Sequence, residues 1–258
     1  MYEPEVMVYL MTGFLDSGKT QFLTFTLEQD YFQIDGKTLL ILCEEGEEEY
    51  DPMEMLKYGV VIEKVEDQED LTEEWLEEMN RKHEPERVVV EYNGMWKVSD
   101  FENLKLPEGW GIEQKITTVD ASTFQMYLTN LKPLFVEMVR GADMVLFNRC
   151  EDIKPLAGYR RSVKVVSPQA EVIFEDEQGE IENIFEDEVP YDLKAPVVEI
   201  AKEDYGIWYV DMMENPDRYK GKVVEYTAKV LKPRSFPAKV FMAGRMAMTC
   251  CADDTSFL

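Results

Sequence analysis

Residues Gly13-Phe14-Leu15-Asp16-Ser17-Gly18-Lys19-Thr20 fit the pattern G-x-x-x-x-G-K-S/T without deviation. They follow the apolar run Val6–Met11 and open Lys19–Gln29, a stretch that reads as a helix. Strand, glycine turn and helix in this order start a crossover unit, which restricts the fold to α/β with a mainly parallel sheet. The glycines let the backbone wrap until successive N–H groups face phosphate oxygens, and the helix N-terminus adds partial positive charge. In such a loop Lys19 reaches the outer phosphates and the Thr20 hydroxyl completes a Mg²⁺ shell. Gly13, Asp16, Ser17, Gly18 and Gln21 belong to the same cradle, so the expected ligand is a nucleoside triphosphate.

The rest of the chain supports that architecture. Thr38–Cys43, Val88–Glu91, Ile116–Val119, Met144–Phe147 and Val163–Val166 read as further buried strands. Asp70–Lys82, Ser122–Arg140 and Lys154–Tyr159 read as the helices between them. The expectation is a doubly wound sheet covered on both faces, followed by a small β region. With 258 residues, 45% of them hydrophobic, there is ample material for a core.

Charge excludes several functions. Lys plus Arg total 27 against 53 for Asp plus Glu, a net charge of −26 that argues against a nucleic-acid binder. No apolar run is long enough to span a membrane, and the start of the chain lacks a basic signal-peptide region, so the expected compartment is the cytosol. Four cysteines at irregular spacing make no disulfide framework. The single histidine, His83, rules out two-histidine zinc hydrolase motifs and reads as a surface residue.

Glu44–Glu54 contains seven acids and no base, directly after a strand. Carboxyl ends of strands are where such folds bind ligands, and acids facing a triphosphate need a cation between. Glu44, Glu47 and Asp51 are therefore candidate hard-oxygen ligands for Mg²⁺ or a cargo metal, with Cys43 a softer donor. The alternative is an exposed solubilising loop. Glu91, ending an unbroken apolar strand, is a candidate for positioning the attacking water, or else a strand-end acid. Asn148 is a candidate base reader.

The composition shifts late in the chain. Residues 218–258 carry eight basic and three acidic residues, against nineteen and fifty before them. The expected organisation is a nucleotide-binding domain over 1–193, a linker over 194–217 and a small β region over 218–258, with strands at Val223–Leu231 and Lys239–Met248. The adjacent Cys250 and Cys251 suit a soft metal better than a strained disulfide between neighbours, with inert cysteines as the alternative.

The order of these segments resembles the CobW-type (G3E) metallochaperone P-loop GTPases. Their phosphate loop reads G-F-L-G-A/S-G-K-T, so Asp16 replaces a glycine. Their Asn-Glu-x-Gly-Glu corresponds to Cys43-Glu44-Glu45-Gly46-Glu47, followed by Asp51, and their Glu-x-x-Gly to Glu91-Tyr92-Asn93-Gly94. Thr118-Val119-Asp120-Ala121 is similar to the next strand end. Asn148-Arg149-Cys150-Glu151 stands where the base-reading Asn-Lys-x-Asp falls, with Arg149 for Lys and Glu151 for Asp. The family's Cys-x-Cys-Cys metal motif is absent, its place taken by Gly59–Val65. The resemblance implies GTP and Mg²⁺ as ligands, a slow GTPase activity resting on Lys19 and Glu91, and handling of zinc or another transition metal. Val223–Asp254 resembles the start of an OB-like domain associated with bacterial metal permeases, which in that family runs on, so Leu258 is expected to be a truncation. Expected partners are a metal-receiving protein or permease, and a second copy of the chain. Two readings compete: a nucleotide-gated regulatory subunit with negligible turnover, and an ATP-using small-molecule kinase, whose arginine-rich lid could draw only on Arg160-Arg161.

Overall fold

The computed structural model describes all residues except 1–3, 154–155, 182–188, 203, 234–235, 238, 249–254 and 258. In chain order the first elements are β1 (Val6–Thr12), α1 (Lys19–Glu28), β2 (Thr38–Leu42), α2 (Pro52–Lys57), β3 (Val60–Lys64), α3 (Glu73–His83) and β4 (Arg87–Glu91). Then come α4 (Val98–Glu102), β5 (Trp110–Asp120), α5 (Phe124–Asn130), α6 (Lys132–Val139), β6 (Met144–Asn148), α7 (Ala157–Lys164), β7 (Glu171–Asp176) and β8 (Gly179–Glu180). The last are β9 (Val197–Ile200), α8 (Tyr205–Glu214), β10 (Val223–Tyr226), β11 (Lys229–Leu231), β12 (Met242–Gly244), β13 (Met246–Met248) and β14 (Thr255–Phe257).

The chain divides into two compact units, the first formed by residues 1–153 and 169–181. Its sheet has eight strands in the order β3-β2-β4-β1-β5-β6-β7-β8. β1 to β7 pair in parallel and β8 turns back on β7. All five residues of β2 and of β4 are buried, as the apolar runs Leu39–Leu42 and Val88–Val90 demand of central strands. Register brings Met11 beside Glu91 and Asp120 beside Asn148, so the phosphate loop and these polar residues share one end of the sheet. The chain order reverses at β1, which puts that end at a topological switch point.

Three local expectations are corrected. Val163–Val166 is not a strand: α7 runs through Lys164, burying Tyr159 and Val163 four residues apart on one helical face. The seventh strand is Glu171–Asp176, whose acidic ends hide its apolar centre. Ser122–Arg140 is two helices, because Pro133 in the first turn of α6 lacks the N–H that would continue α5. His83 is buried, 9% exposed, with Nε2 2.7 Å from Glu63 Oε1. α3 ends there, one turn after Met79, and its buried face turns the imidazole inward.

The second unit holds residues 154–168 and 182–258. β9 and β10 pair in parallel, and β11–β12 and β13–β14 are antiparallel pairs. Residues 194–217, expected as a linker, contain β9 and α8, whose Val198, Ile200, Tyr205 and Trp208 form a core with Tyr191 and Tyr219. Buried Asp211 accepts hydrogen bonds from Asn215 Nδ2, Arg218 Nη1 and the Tyr219 hydroxyl within that unit. Val223–Leu231 is two strands in different sheets rather than one. Among the described residues no helix is long and apolar enough to cross a membrane.

Candidate functional site

The site forms where β1, β2, β4, β5 and β6 end. Gly18 adopts φ +91°, and a Cβ there would lie 2.5 Å from Asn148 Nδ2, so the turn into α1 needs glycine on both counts. Asp16, which stands where the resembling loops have glycine, is also left-handed at φ 57°, a conformation aspartate tolerates better than most residues. Its Oδ1 accepts the Glu47 N–H at 3.1 Å and ties the phosphate loop to the acidic loop. The Ser17 hydroxyl bonds Thr118 Oγ1 at 2.8 Å, anchoring the loop to β5.

Lys19 is 4% exposed and its ammonium has three partners: Gly13 O and Phe14 O at 3.0 Å, and Glu44 Oε2 at 2.6 Å. Glu44 Oε1 in turn faces the Gly94 N–H at 3.4 Å. Gly94 packs so closely on the phosphate loop that a Cβ would meet Gly13 O at 2.4 Å.

Glu91, 2% exposed, receives a hydrogen bond from the Thr20 hydroxyl at 2.8 Å and a second from the Tyr50 hydroxyl. Burial raises its carboxyl above the ordinary value, against the opposing pull of Tyr50, Thr20 and Lys19. Burial and the nearby Glu91 push the Tyr50 phenol well up, so it stays a proton donor. Burial, with Glu91 and Glu44 adding to it, pushes the Cys43 thiol far up, which keeps it protonated and a poor metal donor as it stands.

On the other side of the loop, Asn148 Nδ2 donates to Ser17 O at 2.8 Å, while its Oδ1 is buried with no hydrogen-bond partner. An acceptor buried in that way is suited to a donor brought by a ligand. Arg149 Nη1 bridges Asp16 O at 2.9 Å and Asp120 Oδ2 at 2.6 Å. Burial works against ionisation of Asp120, yet hydrogen bonds from Ser122 and Arg149 hold its carboxyl below the usual range. Glu151 Oε1 accepts the Glu177 N–H at 2.8 Å. A cleft of about 70 Å³ lined by Lys19, Thr20, Glu44 and Glu91 shares Gly18, Gln21 and Arg149 with a groove of about 940 Å³ that Asn148 and Glu151 also line.

Residues 7–174 match the CobW/HypB/UreG nucleotide-binding domain. The chain belongs to the CobW/HypB/UreG family. Residues 177–258 match the DUF1980 C-terminal domain. No curated protein matches the chain. Among solved structures, it is similar to zinc(II)-bound YjiA GTPase from E. coli at 22% identity and TM-score 0.50, over 69% of this chain and 59% of that one. Another is the hydrogenase maturation factor HypB from Archaeoglobus fulgidus, at 17% identity and TM-score 0.47, over 67% of this chain and 83% of that one.

For this CobW/HypB/UreG member the candidates sort by position. Asp16, Gly18, Lys19, Thr20, Gln21, Glu91, Asn148, Arg149 and Glu151 line the two cavities, while Gly13 and Ser17 sit behind them, packed on Thr118 of β5. Of the candidate metal ligands of the acidic loop, Glu44 and Glu47 line the cleft with Thr20 and Glu91, whereas Asp51 and Cys43 do not. Glu44 is paired with Lys19, and Asp51 caps α2 through the Met53 and Glu54 amides. Among the described residues no three His, Cys, Asp or Glu side chains gather as a metal site. Cys250 and Cys251 lie outside the described residues. Tyr50, Asp120 and Gly94 were not singled out by sequence as functional positions. Asp120 and Gly94 lie in segments that resemble the CobW-type pattern, and a tyrosine inside an acidic run carries no signal of its own.

Proposed function

We propose that the chain is a GTPase that couples GTP binding and hydrolysis to the handling of a transition-metal ion of the zinc or cobalt type. Membership of the CobW/HypB/UreG family supports the nucleotide, and the observation that carries the reading is the buried run Tyr50–Glu91–Thr20 beside Lys19. Lys19 and the loop amides hold the phosphates. The Thr20 hydroxyl and the Glu91 carboxylate, 2.8 Å apart, offer the hard oxygens that fit Mg²⁺, which when bound would neutralise charge between the β- and γ-phosphates. Glu91, fixed by two hydroxyl donors, orients the attacking water directly or through the outer shell of the ion. Asn148 and Glu151 read the base, Asn148 through its unpartnered Oδ1 and Glu151 through its second oxygen. Hydrolysis is slow until a partner engages the acidic loop.

The metal is cargo. The zinc named for the YjiA neighbour suggests its type, and the adjacent thiols Cys250 and Cys251 are the donors proposed for it. The client is a metal-receiving protein or a membrane permease, and the chain acts in the cytoplasm, alone or as a homo-oligomer. Titration calorimetry with GTP against ATP in the presence of Mg²⁺, with Lys19→Ala as control, tests the nucleotide. Tight GTP and weak ATP binding, lost in the variant, is expected, and equal affinities overturn the guanine assignment. Zinc titration of wild type against Cys250→Ser/Cys251→Ser tests the cargo, with no difference refuting the thiol site.

A further inference from the structure

We propose that Glu44 makes the site tell triphosphate from diphosphate, by holding in the nucleotide-free chain the groups that a γ-phosphate would take. This rests on the GTP reading above.

A γ-phosphate in a phosphate loop needs the lysine ammonium and an N–H on the opposite wall. In this chain one carboxylate occupies both. Glu44 Oε2 is 2.6 Å from Lys19 Nζ, and Oε1 is 3.4 Å from the Gly94 N–H. A carboxylate and a terminal phosphate present similar anionic oxygens, and the pair here is buried, at 3% and 9% side-chain exposure. The other two hydrogens of Lys19 go to Gly13 O and Phe14 O, so the ammonium has no spare donor for a phosphate until Glu44 leaves.

Displacement has a structural consequence. Glu44 begins the loop that carries Glu47, tied to Asp16, and Tyr50, which donates to Glu91. A triphosphate that takes Lys19 and the Gly94 amide ejects the first residue of that loop. A diphosphate takes the Lys19 ammonium as well but ends short of the Gly94 wall, so it breaks one of the two contacts of Glu44 and leaves the one to the Gly94 N–H. The loop therefore reports the γ-phosphate, and Tyr50 carries that report to the residue proposed to orient the water.

The test compares a non-hydrolysable GTP analogue with GDP by calorimetry, in wild type, Glu44→Gln and Lys19→Ala, at one salt concentration with Mg²⁺ present. Glu44→Gln keeps the size and loses the charge, so it is expected to raise triphosphate affinity by about tenfold or more while GDP changes by less than about threefold. Hydrogen exchange supplies the second readout, which needs no variant. The triphosphate is expected to raise exchange over residues 44–51 more than GDP does, because only the triphosphate removes both contacts of Glu44. An unchanged or lower ratio of triphosphate to diphosphate affinity in Glu44→Gln overturns the proposal, as does an equal exchange response to both nucleotides. Wild type that binds GTP no better than Lys19→Ala refutes the GTP reading instead, and that outcome is visible before any Glu44 comparison.

Discussion

Thr20 and Glu91 lie 71 residues apart in sequence, yet the threonine hydroxyl donates to Glu91 Oε1 at 2.8 Å. One residue lies in the first turn of α1 and the other closes β4, and pairing of β1 with β4 places them together. Tyr50 supplies the second donor, so this buried carboxylate has a hydroxyl on each oxygen and is fixed in orientation before any ligand arrives.

Glu91→Gln keeps the shape and removes the charge. It is expected to cut GTP turnover by about 100-fold or more, measured as phosphate release, with nucleotide affinity changed far less. The stability effect has a definite sign. Burial raises the folded-state carboxyl above 4.5, so the folded chain holds its proton over a range where the unfolded chain has lost it. That contribution is fully present below about pH 4.5 and is lost as pH rises through the folded value. The stability of Glu91→Gln relative to wild type should thus grow from pH 5 to pH 7.5 in paired urea titrations, and a constant difference would contradict it.

Gly94→Ala places a Cβ 2.4 Å from Gly13 O and 2.8 Å from Phe14 Cα, both backbone atoms with little room to yield. Destabilisation of about 1–3 kcal/mol is expected, together with weaker GTP binding, because the phosphate loop itself must shift. Gly206→Ala, in α8 with open space around it, is the control and should stabilise by about 0.4–1 kcal/mol. Equal effects of the two substitutions in urea unfolding would refute the close-approach argument.

Glu151→Ala removes the carboxylate standing where the family has its guanine-reading aspartate. Its Oε1 is held by the Glu177 N–H at 2.8 Å, which leaves the other oxygen to accept from a base. GTP affinity should fall about 10–100-fold with ATP affinity unchanged. A parallel fall for both nucleotides would mean that Glu151 supports the loop and does not read the base.

The phosphate loop and most strands of the sheet were legible because both write themselves locally. The glycines and lysine sit at fixed spacing, and β2 and β4 are built on the apolar runs Leu39–Leu42 and Val88–Val90. What could not be read depended on distant partners. Glu44 reads as a metal ligand because its loop is acidic, and its pairing with Lys19 is visible only in the fold. Val163–Val166 looked like a strand because it is β-branched, although Tyr159 and Val163 already stood at helical spacing. β7 was missed for the opposite reason, since Glu171, Glu175 and Asp176 flank a short apolar centre.

His83 shows the same limit and yields the last prediction. In sequence it sits among Arg81, Lys82 and Glu84 and reads as surface, whereas in the fold it is buried against Glu63 of β3. Lys82 reaches the same Glu63 Oε1 at 2.7 Å. Burial alone would raise the Glu63 carboxyl, but hydrogen bonds from Lys82 and His83 outweigh it and set it below 4.5. A carboxyl depressed in the folded state stabilises above its unfolded value and loses that contribution as pH falls through the folded one. Lys82 is half exposed, so solvent screening keeps the gain to about 1 kcal/mol or less. Glu63→Gln should accordingly be less stable than wild type at pH 6.5 by up to that amount, with the gap closing as the pH is lowered to 3. A gap that persists at pH 3 in urea titrations would show that Glu63 acts through packing on β3, and not through its charge.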